Sequence, residues 1–133
     1  MKIKTSELTD ADLDWAVAKC NGKTLHYFID DGFKKDPWLV VNGEVDLPLH
    51  AYTPSTDWAQ GGPIVEREKI EWQWLPSSHK AHRYGARKPS LGGLYRTFCM
   101  DGPTILVAAM RCYVASKLGD EVEIPEELTE SKS

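Results

Sequence analysis

Residues 101–119 read DGPTILVAAMRCYVASKLG and predict a long, buried helix near the C-terminus. The initial Asp-Gly dipeptide indicates a turn, and Pro103 is typical of the first position of a helix. The helix is expected to run to Leu118 and to end at Gly119, because glycine is favoured just past helix ends. Apolar side chains cover much of its circumference: Ile105, Leu106, Ala109, Met110, Cys112, Tyr113, Val114 and Leu118. Such a helix belongs in the centre of a core, so the rest of the chain should pack around it.

A second helix is predicted from Thr9 to Gly22. Thr9 is a favoured N-cap residue, and Asp12, three residues later, has the spacing of a capping box. Asp10 and Asp12 also lie at the positive end of the helix dipole, where acidic side chains are stabilising. The expected buried stripe of this helix consists of Leu13, Trp15, Ala16, Val17 and Cys20.

Short strands are predicted between the two helices, in segments that turn residues separate. They are Lys23–Phe28, Trp38–Asn42, Val45–Leu49, Ile64–Trp74 and Leu94–Met100. The turn residues Asn42 and Gly43 favour a hairpin that pairs the second of these segments with the third. The fourth segment carries a break near Lys69 that would divide it into two strands. The polar stretch 75–93 is expected to be a long loop.

These elements predict a single α+β domain over residues 1–125. Its N-terminal helix and its buried C-terminal helix are expected to pack on a mainly antiparallel sheet of about four or five strands. Residues 126–133 are acidic and have little apolar surface to bury, so we expect them to form a frayed tail.

Charge and cysteine content disfavour several classes of function. The 133 residues include 16 basic and 20 acidic ones, a net charge of -4. Generic nucleic-acid binding is disfavoured, because binding to the phosphate backbone normally requires a positive excess. The three cysteines form no CxxC pair and cannot all pair within the chain, which favours a reducing compartment. The N-terminus MKIKTSELTD lacks a signal-peptide core and Ile105–Met110 is too short to span a bilayer, so we expect a cytoplasmic protein without membrane contact.

The segment Pro54–Glu68, PSTDWAQGGPIVERE, is the best candidate for a binding site. It is predicted to be a loop up to Pro63, and its adjacent glycines allow a ligand or another backbone to approach closely. Acceptor, aromatic and amide groups lie close together there, a density typical of ligand sites. The candidate ligand-binding residues are Tyr52, Ser55, Thr56, Asp57, Trp58, Gln60, Gly61, Gly62 and Arg67. If Arg67 faces the loop, the pocket would suit an aromatic, anionic ligand such as a nucleotide.

A purely structural interpretation of this segment stays equally open. In that case Asp57 or Ser55 caps a turn, Trp58 fills the core, and Gly61–Pro63 redirects the chain into the next strand.

Other constellations carry weaker signals. Unpaired backbone N–H groups around Gly102 and Thr104, at the start of the long helix, form a candidate anion site, although every helix has such an end. His79 and His82 lack a third ligand at a fixed spacing, so no metal site is predicted. The sequence contains no nucleophile elbow and no phosphate-loop fingerprint, and we predict no catalytic residue and no cofactor.

Three stretches of the chain together resemble the NinX family of lambdoid bacteriophages. They are MKIKTSELTDADLDWAVAKC at the start, PSTDWAQGGPIVERE in the middle and GPTILVAAMRCYVASKLGDEVEIPEEL near the end. The three matches keep their order and cover over half of the chain. The resemblance implies a small accessory protein of a phage or prophage that acts inside a bacterial host, but it implies no activity. Residues 73–100 fit the family pattern least well.

The sequence supports three functional hypotheses, in order of preference. The first is a non-enzymatic accessory protein whose Tyr52–Gly62 loop binds a small polar or nucleotide-like ligand, for example to sequester a host defence signal. The second is a module that binds a host or phage protein through exposed aromatics such as Trp72 or Trp74 and the basic stretch after them. The third is an enzyme, which would need two titratable groups beside the pocket. A concave pocket lined by Asp57 and Trp58 would favour the first hypothesis, and an exposed tryptophan patch the second. A homo-oligomer is compatible with each.

Overall fold

The computed structural model describes residues 1–26, 29–30, 33–34, 37–76, 79–89, 97–125 and 128. Three α-helices lie in these ranges: α1 (Asp10–Cys20), α2 (Trp58–Arg67) and α3 (Ile105–Leu118). Short 3-10 helices cover Thr5–Glu7, Leu49–Ala51 and Lys80–His82. The strands, in chain order, are β1 (Lys2–Lys4), β2 (Thr24–His26), β3 (Ile29–Asp30), β4 (Phe33–Lys34), β5 (Trp38–Val41), β6 (Glu44–Pro48), β7 (Glu71–Trp74), β8 (Tyr84–Pro89), β9 (Thr97–Gly102) and β10 (Glu121–Glu123). Within this part of the chain, no helix has the length and apolar character needed to cross a membrane.

The described strands form four small antiparallel sheets: β1–β10, β2–β5–β6, β3–β4 and β7–β8–β9. The predicted hairpin is confirmed, because β5 pairs with β6 through Asn42 and Gly43, whose φ angles are 52° and 81°. Positive φ at both central residues is the requirement of a type I′ turn, which Asn-Gly meets well. The α+β class and the antiparallel pairing are thus confirmed, although the strands are divided among small sheets instead of forming one.

α3 lies at the centre of the core, where it packs on one face of the β7–β8–β9 sheet and contacts α1 and α2. Its side chains Ala108, Ala109, Met110, Cys112 and Val114 are completely buried. β9 comes close to the helix because Gly102 has no side chain; a Cβ there would lie 2.9 Å from the backbone nitrogen of Ala108. Buried Arg111 donates hydrogen bonds to the carbonyl oxygens of Leu8 and Asp101, each at 2.8 Å. The prediction of a buried central helix is confirmed.

Both predicted helices are present, with small differences at their ends. α3 begins at Ile105, because Thr104 is its N-cap and the Thr104 hydroxyl accepts a hydrogen bond from the N–H of Val107 at 3.1 Å. The prediction that Pro103 is the first helical residue is therefore wrong. Gly119 ends the helix as predicted, with a φ of 87° that favours glycine.

The region 54–74 differs most from the prediction. Over Trp58–Arg67, the predicted loop up to Pro63 and the predicted strand from Ile64 are wrong, because these residues form α2. Residues 54–57, which precede α2, and β7, which ends the predicted strand segment, agree with the prediction. Glycine and proline are unfavourable in the interior of a helix. In α2, the free energy gained by burying Gly61 and Ile64 against the core outweighs this local cost. The predicted break is confirmed: Lys69 has a φ of 54°, and β7 follows it.

The predicted long loop 75–93 contains a strand. β8 lies inside it and is the middle strand of its sheet, so pairing on both sides stabilises a segment whose composition is loop-like. The pairing of β1 with β10, which joins the two ends of the fold, was not predicted either. The predicted strand ends at 27–28 and 94–96 lie outside the described residues. The same holds for the predicted frayed tail 126–133, apart from Leu128, which is buried.

Candidate functional site

The polar residues at the start of α2 bond to one another and to the residues just before the helix. Asp57 is the N-cap of α2, and its carboxylate accepts a hydrogen bond from the N–H of Ala59 at 3.0 Å. The Gln60 amide donates to the Asp57 carboxylate (3.1 Å), the Thr53 hydroxyl (3.2 Å) and the Ala51 carbonyl (3.1 Å). Its oxygen accepts from the N–H of Thr53 at 3.0 Å. The acceptor and the amide that were predicted to recognise a ligand are therefore engaged inside the protein.

The two glycines of this segment have different roles. A Cβ on Gly61 would lie 2.3 Å from the carbonyl oxygen of Pro54 and 2.8 Å from a methyl group of Leu106, so only glycine fits there. A Cβ on Gly62 would meet only the Trp58 ring, at an ordinary 3.7 Å. Trp58 itself is 51% exposed, so the structural interpretation that places it in the core is wrong. Because Gly61 has no side chain, the backbone of Pro54 can lie against it.

Ser55 connects the segment before α2 to α1. It is buried, and its N–H donates to the carboxylate of Asp14 at 2.9 Å. Burial raises the pKa of Asp14 to about 6, although the hydrogen bonds from Ser55 oppose the shift. Ser55 thus orders the chain between the two helices.

Tyr52 and Arg67, two of the predicted site residues, meet in a cluster with Asn21 and Tyr113, which we call the Asn21 cluster. The Asn21 amide donates to the Tyr52 hydroxyl at 3.0 Å, and its oxygen accepts from Tyr113 (2.7 Å) and from Arg67 (3.0 Å). Arg67 also donates to the Tyr113 hydroxyl at 3.2 Å. Burial raises the pKa of Tyr52, and it raises the pKa of Tyr113 to about 12, so both phenols stay protonated at neutral pH. The cluster ties α1, α2 and α3 together.

Glu68 extends the Asn21 cluster to β8. Its carboxylate accepts hydrogen bonds from Arg67, at 2.8 Å, and from Lys88. Burial opposes ionisation of Glu68, but these two cations outweigh it and lower its pKa. Lys88 also lies 5.7 Å from the centre of the Tyr113 ring. The sequence carried no signal for this cluster, since Asn21 and Tyr113 are 92 positions apart.

The remaining predicted sites also have structural contacts. Gly102 packs against the first turn of α3, and the Thr104 hydroxyl caps that helix; the candidate anion site stays a prediction. His79 accepts from the N–H of Ala81 at 3.2 Å, and His82 lies 2.7 Å from the Asp101 carboxylate. Among the residues with described positions, no group of three or more His, Cys, Asp or Glu side chains is arranged to hold a metal ion.

Two large apolar side chains on β7 are exposed to solvent. Trp72 is 50% exposed and Trp74 is 60% exposed. Trp72 and Trp74 pair with Ala86 and Tyr84 of β8, whose side chains pack against the core. Because paired residues place their side chains on the same side of a sheet, both rings lie on the side that faces α3. The helix does not bury them there. We call Glu71–Trp74, together with the side of β7 that pairs with no described strand, the tryptophan edge.

A depression of about 710 Å³ adjoins the tryptophan edge on the β7–β8–β9 sheet. It is lined by Glu71, Trp72, Gln73, Leu75, Gly85, Ala86, Arg87, Met100 and Asp101. Two charge pairs cross this region, Arg87 with Glu71 and His82 with Asp101. Its lining contains β7, β8 and β9 residues and no member of the predicted site.

Comparison with known proteins agrees with the resemblance seen in the sequence. The family model described as Bacteriophage P22, NinX matches residues 4–117, well over half of the chain. A search of the curated proteins gave no match.

Proposed function

The chain belongs to the bacteriophage NinX family and is thus a phage accessory protein, and we propose that it acts by binding another protein through the tryptophan edge. The observation that carries this proposal is the exposure of Trp72 and Trp74, at 50% and 60%. Tryptophan is enriched in the residues that dominate binding energy at protein interfaces, because a large rigid ring is removed from water at little entropic loss. We place this interaction inside the infected bacterial cell, with a phage or host protein as the partner.

The two rings lie on the same side of β7. Side chains two residues apart in a strand project from the same side and lie roughly 7 Å apart, so Trp72 and Trp74 are neighbours. The fold does bury other aromatic side chains: Tyr113 is 2% exposed and Tyr52 is 8% exposed. Paired exposed tryptophans on one strand are therefore a local feature of β7, and contiguous exposed apolar surface is typical of interaction sites.

The contacts around α2 favour this proposal over the loop hypothesis. Asp57 and Gln60 make their hydrogen bonds within the protein, the N–H of Ser55 is bonded to Asp14, and a Cβ on Gly61 would collide with neighbouring atoms. A ligand that used these groups would have to break contacts that hold α2 in place. Trp72 and Trp74 need no such rearrangement to meet a partner.

A small polar ligand is the second candidate, and the exposure of Trp58 favours it. The ring of Trp58 is 51% exposed and Thr56 beside it is also exposed, so a planar ligand would stack there without displacing a protein contact. Such a ligand would be released from purified wild-type protein and be missing from Trp58→Ala. Spectra of released small molecules that are the same for both proteins would contradict this candidate.

The main proposal is tested by crosslinking and capture of the full chain from phage-infected bacteria, with quantitative mass spectrometry of the captured proteins. The wild type is compared with the double variant W72A/W74A and with Trp58→Ala, a matched control for the loss of an exposed tryptophan. We expect one partner to be captured in stoichiometric amount by the wild type and by the control, and about tenfold less by the double variant. Equal capture by all three proteins would overturn the proposal.

A further inference from the structure

We propose that the partner binds as an extended segment that adds a fourth strand to the β7–β8–β9 sheet, alongside β7. This inference rests on the proposed function, whose surface it shares, and it specifies the form and chemistry of the partner. Strand addition uses backbone hydrogen bonds for affinity and alternate side chains for specificity.

The backbone of β7 has the orientation that strand addition requires. The N–H of Leu75 donates to the carbonyl of Arg83 at 2.6 Å, so these residues form a hydrogen-bonded pair next to the Trp74–Tyr84 pair. Hydrogen-bonded and non-hydrogen-bonded pairs alternate along an antiparallel ladder. Trp72 and Trp74 therefore belong to the non-hydrogen-bonded pairs, and their N–H and C=O groups point away from β8.

Among the described strands, the outer side of β7 is an edge with less protection than that of β6. Among the described strands only β8 pairs with it. Proteins normally protect such edges with charged residues and proline, as β6 does with Glu44, Asp46 and Pro48. β7 contains no proline and no lysine, its one charged residue, Glu71, pairs with Arg87 of β8, and two of its four residues are tryptophans. Its edge thus has the composition of a strand that accepts a neighbour.

The side chains around β7 indicate the chemistry of the added segment. Residues of the segment directly opposite Trp72 and Trp74 would have Cβ atoms about 5 Å from theirs, so apolar side chains are favoured at alternate positions. The residues of the segment that alternate with these would place their side chains on the same side of the sheet as Glu71 and Gln73, so polar side chains are favoured there. Lys69 is exposed just before β7, and its ammonium group makes no hydrogen bond or ion pair to the described residues. It favours a carboxylate at the adjacent end of the segment.

The experiment uses a displayed library of random twelve-residue peptides as the probe. Peptides are selected on the full wild-type chain and are then assayed against W72A/W74A. Each selected peptide is synthesised in two N-methylated forms, which block alternate sets of backbone N–H groups. Only one set faces β7 in an added strand, so we expect one form to bind about tenfold or more weakly and the other to bind like the parent peptide. We also expect acidic peptides to lose affinity for Lys69→Glu.

The outcomes separate the inference from the proposed function. Peptides that need Trp72 and Trp74 but bind equally well in both N-methylated forms would overturn strand addition and leave the proposed function standing. Peptides whose affinity does not fall in W72A/W74A would overturn both. Loss of affinity in one N-methylated form alone, together with dependence on the two tryptophans, supports both.

Discussion

Pro54–Glu68 and the tryptophan edge differ in whether the groups that suit binding are free to meet a partner. Pro54–Glu68 is rich in acceptors, amides and glycines, yet Asp57, Gln60 and the N–H of Ser55 bond to groups within the segment, just before it or on α1. The tryptophan edge is only four residues long and carries no motif, yet it exposes two large rings. Groups that suit ligand recognition also suit helix capping, since both tasks need hydrogen bonds to N–H groups. Exposure in the folded state therefore separates a site from a structural segment better than composition does.

The largest expected effect tests whether Pro54–Glu68 is structural. Gly61→Ala places a Cβ against the Pro54 carbonyl, and we expect it to lower the free energy of unfolding by about 2–3 kcal/mol, measured by urea denaturation. Gly62→Ala is the matched control, because its Cβ has room and alanine favours the helix by roughly 0.5–1 kcal/mol. Equal stability of the two variants would break the comparison, since Gly61 would then be free for another role.

Asp14 gives the next largest effect, and this effect depends on pH. Burial raises its pKa from an ordinary 3.8 to about 6, so the folded state binds more protons than the unfolded state between these values. The stability from this group is complete below pH 3.8 and is lost as pH rises through about 6. Asp14→Asn keeps an oxygen acceptor for the N–H of Ser55 without the charge. At pH 7 it should be more stable than wild type by on the order of 1–2 kcal/mol.

Thermal or urea unfolding of wild type and Asp14→Asn at several pH values measures this difference. The advantage of the variant should shrink as pH falls from 7 to 4. A difference that does not change with pH would show that Asp14 is not the titrating group, and that its contact with Ser55 is less buried than the structure indicates.

The capping contacts at the start of α2 should have effects of about 1 kcal/mol. Asp57→Ala removes the N-cap, and Gln60→Ala removes the amide that holds Thr53, so each is expected to destabilise the protein by about that amount. Thr56→Ala, at an exposed position in the same segment, should change stability by less than about 0.5 kcal/mol. Calorimetry of the three variants sharpens the comparison. If Asp57→Ala and Gln60→Ala are as stable as Thr56→Ala, these groups are available for a ligand after all.

The smallest expected effect lies at the tryptophan edge. W72A/W74A should keep the wild-type free energy of unfolding within about 0.5 kcal/mol, because both rings are at least half exposed. Urea denaturation checks this expectation. A loss of several kcal/mol would mean that the rings contribute to the core, and the contrast with Pro54–Glu68 would disappear.

The parts of the fold that local signals specify were predictable. α3 follows from an apolar run that ends at Gly119, and the β5–β6 hairpin follows from Asn42 and Gly43. α2 was missed because its Gly-Gly-Pro sequence disfavours a helix locally. One signal for it was present: Asp57 and Gln60 have the N-cap to N3 spacing of a capping box.

The candidate site was harder to predict than the fold. The Asn21 cluster joins the C-terminal end of α1 and Tyr52 to α2 and α3, and no spacing along the chain marks it. The alternation of Trp72 and Trp74 does place both rings on one side of a strand. Whether α3 buries the two rings depends on where that helix packs on the sheet. α3 begins at Ile105, about 30 residues after β7, so no local pattern around the two tryptophans indicates its position.

The sequence by itself determined where α1, α3 and the Asn42–Gly43 hairpin lie, because caps, apolar periodicity and turn geometry act over a few residues. Only the tertiary structure decided that α2 is a helix and that Asp57, Gln60 and Ser55 are engaged within the protein while Trp72 and Trp74 are exposed. The physical reason is that hydrogen-bond partners and cover from solvent come from residues far apart in the chain, which meet only when the core has formed.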